Sequence, residues 1–120
     1  MISNVAKMLN TFWNSFGIPA YVEEHIPDEA DVPYITYTQS IPDWNATSSM
    51  QARVWYKGNS FTALNAKVEE ISNAIGHGYS MHDDRNLVVI HKDDNFYNIQ
   101  PFPEDSKIRV AYLNMTISVT

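Results

Sequence analysis

The order of hydrophobic periods along the chain predicts an α+β fold, with two helices packed on a largely antiparallel β-sheet. Three observations carry that expectation. Two stretches place apolar residues at helical spacing, one at the start of the chain and one in the middle. Between and after them, several stretches alternate with period two, as strands do. The length of 120 residues fits a single domain spanning 1–120, with a 44% hydrophobic share sufficient for one core.

The first helix is expected over about 3–16. Val5, Met8, Leu9, Phe12 and Phe16 fall on one stripe, with Trp13 near its edge. Ser3 or Asn4 suits its N-terminal cap, while Gly17 and Pro19 stop it. Ala20–His25 reads as a strand, Ile26–Val32 as an acidic loop broken by Pro27, and Tyr34–Gln39 as a second strand rich in aromatic and β-branched residues. A loop around Pro42 covers 40–47. The third strand follows over 48–57, with Met50, Ala52, Val54 and Tyr56 on one face and Gln51, Arg53 and Trp55 on the other.

Lys57-Gly58-Asn59-Ser60 is a turn that ends in a helix cap. Phe61, Leu64, Val68, Ile71 and Ile75 then repeat at spacings of 3, 4, 3 and 4, giving a helix that Gly76-His77-Gly78 closes. Short strands follow at Tyr79–His82, Leu87–His91 and Phe96–Gln100, joined by polar turns at 83–86 and 93–95. The last strand, Lys107–Thr120, aligns Arg109, Ala111, Leu113, Met115, Ile117 and Val119 on one face.

Eight basic and fourteen acidic residues leave a net charge of −6. Residues 1–50 hold one base, Lys7, against six acids, and so carry −5 of it. A nucleic-acid binder needs a basic patch to neutralise phosphates, and this balance argues against one. The absence of cysteine excludes disulfides, thiolate-ligated zinc and thiol catalysis. No apolar run reaches the ~18–20 residues of a membrane-spanning helix, and the first residues lack the basic and apolar stretches of a secretory signal.

His77, His82, Asp83, Asp84 and His91 are the one cluster of metal-ligating residue types, at a spacing that matches no ligand motif. A helix-end loop and a polar hairpin turn account for the same residues. Glu23-Glu24 and Asp28-Glu29 read as solvated surface, and Ser48, Ser49 and Ser60 lack the strand-turn-helix setting of a nucleophilic serine. Trp44 belongs to neither periodicity. Large aromatics in loops serve as interface anchors, since they bury much area at low entropic cost. Trp44 with its neighbour Asp43, and Phe96 with Tyr97, are the candidate interface residues.

Several segments in order carry a family resemblance. A helix ends in Phe16-Gly17-Ile18-Pro19, followed by Ala20-Tyr21-Val22, an acidic loop with Pro27, and Val32-Pro33-Tyr34-Ile35-Thr36-Tyr37. A strand and the Phe61–Ile75 helix come next, then Phe96-Tyr97-Asn98-Ile99-Gln100-Pro101 and a closing strand that begins Lys107-Ile108-Arg109-Val110-Ala111-Tyr112-Leu113-Asn114. In this order the chain resembles the tail terminator, or tail completion, proteins of long-tailed bacteriophages. It departs from them at His82-Asp83-Asp84-Arg85, where a shorter Gly-rich turn is expected.

The resemblance implies a structural virion subunit and no enzyme. Such a subunit forms a homohexameric ring on the head-proximal end of the tail tube, ends tube growth and docks to the head connector or stopper. Its partners are then further copies of itself, the tail tube protein and the connector, with DNA passing the lumen without specific binding. It implies no cofactor, metal or catalytic residue and no membrane, and it places the protein in the virion tail after assembly in the host cytoplasm. Three other readings stay open at this point: a different head–tail neck protein of head-completion or stopper type, a small cytoplasmic enzyme or metal-binding protein built on His77–His91, and a small phage regulatory protein that binds a host partner through Trp44.

Overall fold

The computed structural model describes residues 2–58 and 60–120, with side chains for all of these except Ile2, Ser3 and Ser106. The turn residue Asn59 and the side chain of Ser3, one of the two expected caps, lie outside what is described, though the Ser3 backbone falls inside the first helix. Helix α1 spans Ile2–Trp13 and passes into a 3-10 turn, Asn14–Phe16, so Asn4 sits within the helix rather than at its cap. Strand β1 (Ala20–Val22) is cut short by a second 3-10 turn at Glu23–His25. Then come β2 (Tyr34–Tyr37), β3 (Ala46–Lys57), α2 (Thr62–Ile75), β4 (Tyr79–His82), β5 (Leu87–Phe102) and β6 (Asp105–Val119).

The expected balance of two helices packed on a largely antiparallel sheet is corrected here. Among the described residues strand accounts for 46% and helix for 26%, with the strands in a single curled, mixed sheet of six. Its order is β1-β2-β3-β6-β5-β4, with β1 and β2 parallel and the other neighbours antiparallel. The sheet outgrows the expectation because residues that usually break strands are held inside one. The polar turn expected at Asp93-Asp94-Asn95 is instead an irregularity within β5, where the register with β6 shifts between Lys92 and Tyr97. Thr116 Oγ1 donates to Asp93 Oδ1 at 2.7 Å, and the Asn114 amide donates to the Asn95 carbonyl at 3.1 Å. Those bonds satisfy the excursion from the neighbouring strand, so the ladder resumes beyond it, as β-bulges allow.

The long β3–β6 ladder, from Ala46↔Val119 to Lys57↔Ile108, is the spine of the molecule. Its alternate residues Met50, Ala52, Val54, Ala111, Leu113, Met115, Ile117 and Val119 form the core face. Against that face lie Leu64, Val68, Ile71 and Ile75 of α2 and Val5, Leu9, Phe12 and Trp13 of α1. Helix α1 reaches both flanks of the curl. Phe12 meets Tyr79 of β4 at 4.7 Å between ring centroids, while Trp13 stacks on Tyr37 of β2 at 5.9 Å. Trp13 is therefore fully buried, deeper than the edge position its spacing gives it.

The opposite face carries a second, smaller cluster of half-buried rings. Tyr21, Tyr34, Trp55 and Phe102 touch in succession at centroid separations of 5.8, 6.2 and 5.2 Å. Trp55 donates its indole N–H to Thr36 Oγ1 at 3.0 Å, which satisfies a hydroxyl that is itself fully buried.

The first helix ends as the sequence indicates, on Gly17 with φ +82° and ψ 0°. Lys67 of α2 donates to the Phe16 carbonyl at this end and pairs with Glu70 at 2.9 Å, setting a cation on the negative pole of the helix. A Cβ on Gly17 meets nothing closer than Lys67 Nζ at 4.0 Å, so substitution there tests backbone conformation alone. Gly17→Ala is expected to cost roughly 1–2 kcal/mol in urea denaturation, the penalty of a left-handed L-residue. A change within 0.3 kcal/mol, on the order of measurement error, would contradict the left-handed cap.

Candidate functional site

Trp44 stands on a tight turn whose flanks point inward. Ile41 packs against the core and Pro42 is buried, which leaves Asp43 and Trp44 outward. The Asp43 carbonyl accepts from the Ala46 N–H at 3.0 Å. Asn45 takes a left-handed φ of 64°, the conformation such a turn needs at its third residue and one that Asn tolerates. The Asn45 N–H donates to the Val119 carbonyl at 2.7 Å, pinning the turn to the end of β6. Trp44 is 59% exposed, the most exposed large apolar side chain among the described residues.

Three residues far away in sequence surround it. Asn4 of α1 and Arg85 and Asn86 of the β4–β5 turn line a concavity of ≈330 Å³ together with Trp44. The turn is shaped by Asp83, whose Oδ1 accepts from the N–H groups of Arg85 at 2.8 Å and Asn86 at 2.7 Å. Those backbone bonds, Arg85 first, hold the Asp83 carboxyl below its ordinary value of 3.8, with side-chain help from Asn86 and Asn4. A depressed carboxyl stabilises the fold above its unfolded pKa, and that stability is lost as pH falls through the folded value. Asp83→Asn should therefore be less stable than the parent at pH 7, with the gap closing below about pH 4. A gap in thermal stability that stays constant from pH 7 to pH 3, roughly the span of carboxylate titration, would contradict this role.

The other expected contact residues divide. Tyr97 is 54% exposed, whereas its neighbour Phe96 turns into the core at 8%, under Lys92 Nζ at 5.7 Å from the ring centroid. Consecutive strand residues point to opposite sides, and the register with β6 shifts just before this pair, between Lys92 and Tyr97. Tyr97 walls a cleft of ≈430 Å³ whose other side is α2, through Asn65, Val68, Glu69 and Ser72. Lys92 donates to Ser72 Oγ at 3.0 Å and braces α2 against β5.

Trp44 and Tyr97 are not brought together. The turn of Trp44 is tied to Val119, whereas Tyr97 pairs with Leu113, six positions along β6 and about 20 Å away at strand rise. The chain thus presents two separate aromatic sites, not one.

Sequence reasoning missed Arg85, Asn86 and Asn4 beside Trp44, and Asn65, Val68, Glu69 and Ser72 beside Tyr97. Nothing local in the sequence links Arg85 to Trp44 or Glu69 to Tyr97. The His77–His91 cluster is dispersed, since His82 and His91 lie on different strands and His77 at the end of α2. Among the described residues, no group of three or more His, Asp or Glu is placed to hold a metal ion. No described helix is long and apolar enough to cross a membrane. No family model matches the chain, and no curated protein matches its sequence.

Proposed function

We propose that the chain is a structural, non-catalytic subunit that assembles into a ring, most simply a hexamer, capping the head-proximal end of a phage tail tube. The observation that carries this reading is the pair of exposed aromatics, Trp44 and Tyr97, on separate surfaces of an otherwise well-buried fold. A ring needs two different faces on each subunit, one to meet the neighbour ahead and one the neighbour behind. Exposed Trp and Tyr set in concavities are the side chains that most often supply binding energy. The net charge of −6 supports passage of DNA rather than its capture, because like charge weakens contact with phosphates. The ordered resemblance to tail terminators supplies the tube and the connector as partners.

Electron microscopy of virions and purified tails, with the chain tagged, tests the reading. The tag is expected at the head-proximal end of the tube. A tag at the distal tip or inside the capsid would overturn the proposal, and a tag that seals filled heads lacking tails would move the chain to the head-completion class.

A further inference from the structure

We infer that Trp44 of one copy inserts into the Tyr97 cleft of the next copy, with Arg85 of the first copy set against Glu69 of the second. The inference rests on the ring reading and names the contact that would build it. The knob and the cleft belong to the same chain but share no residue, so their union is heterologous and repeats from copy to copy. The ≈430 Å³ cleft falls within the ~300–1,000 Å³ range of small-molecule ligand pockets, so it has room for an indole. Its chemistry suits an indole: Val68 offers apolar surface at its base, Tyr97 a ring wall, and Asn65 and Ser72 polar groups within reach of an N–H.

Charge sets the partner. Arg85 lines the concavity beside Trp44 and Glu69 the cleft, both are exposed, and among the described residues neither enters an ion pair. In a chain of net charge −6, an unpaired cation next to the knob and an unpaired carboxylate in the cleft give the contact its polarity.

The natural chain has no cysteine, which makes disulfide trapping clean. Asp43→Cys and Asn65→Cys, both at exposed positions, are made separately and together. After oxidation at high protein concentration, the mixture of the two single variants should give a crosslinked dimer that neither gives alone. The double variant should give a ladder that ends in a closed ring. Trp44→Ala in the double variant should weaken association about 30-fold, as loss of a central aromatic does. Arg85→Glu should also weaken it, and Arg85→Glu with Glu69→Arg should recover it. Disulfides within the Asp43→Cys variant alone would overturn the inference in favour of a two-fold contact. Rings that sediment without the 43–65 disulfide would overturn it and leave the ring reading standing. Absence of both disulfide and oligomer would also overturn it, the ring reading then being decided by the position of the tag on tails.

Discussion

Trp13→Ala is expected to destabilise the fold by about 3–5 kcal/mol, the largest loss for any single truncation on the first helix. Its ring is fully buried between Phe12, Phe16 and Tyr37. A domain of this size is stable by only about 5–15 kcal/mol in total, so the variant sits near the folding threshold. The indole N–H is buried without an acceptor among the described residues, so it adds no hydrogen bond to the ring's value. Trp13→Phe should accordingly cost much less than Trp13→Ala, because only volume is lost. Urea denaturation followed by far-UV circular dichroism measures both. Equal losses for Phe and Ala would show that the indole N–H, not the packing, matters.

The second large effect separates folding from assembly. Trp44→Ala should leave monomer stability within about 1 kcal/mol of the parent, since the side chain is mostly in solvent and its turn is held by Asn45 and Pro42. The same change should weaken subunit association by about 2 kcal/mol or more, the size of an aromatic hot spot. Denaturation of the monomer and sedimentation of the assembled form, on one preparation, read the two numbers. A variant that unfolds easily yet still associates when folded would refute the contact role of Trp44.

Much of the fold was legible because local periodicity and burial coincide in it. The stripes Val5–Phe16 and Leu64–Ile75, and the alternation from Ala111 to Val119, are the residues that form the core. What was not legible depends on partners distant in sequence. Asp93-Asp94-Asn95 reads as a turn until Asn114 and Thr116 are seen to satisfy it from β6. Trp13 reads as an edge residue until the curl of the sheet brings Tyr37 against it. At the candidate site, the exposure of Trp44 could be read from its aperiodic, Pro-flanked loop. The placing of Arg85 beside it could not, because it follows from the bonds that tie Asn45 to Val119 and Leu87 to Thr120. Phe96 and Tyr97 look alike in sequence, and the difference between them rests on packing: Phe96 lies buried under Lys92, whereas Tyr97 borders the open cleft beside α2.

The reach of α1 across the curl has a consequence in time. Phe12 needs Tyr79, Trp13 needs Tyr37 and both share a core with β6, so α1, made before all of these, cannot dock fully until they have left the ribosome. Until then its apolar stripe has no complete surface to cover, and an isolated helix of 12 residues is marginal in water. Such distant contacts demand loop closure before they return any stability, which slows folding relative to a locally connected bundle of the same length. The nascent chain is thus committed late and nearly all at once, and its exposure to aggregation lasts until β6, which completes the core face, has emerged.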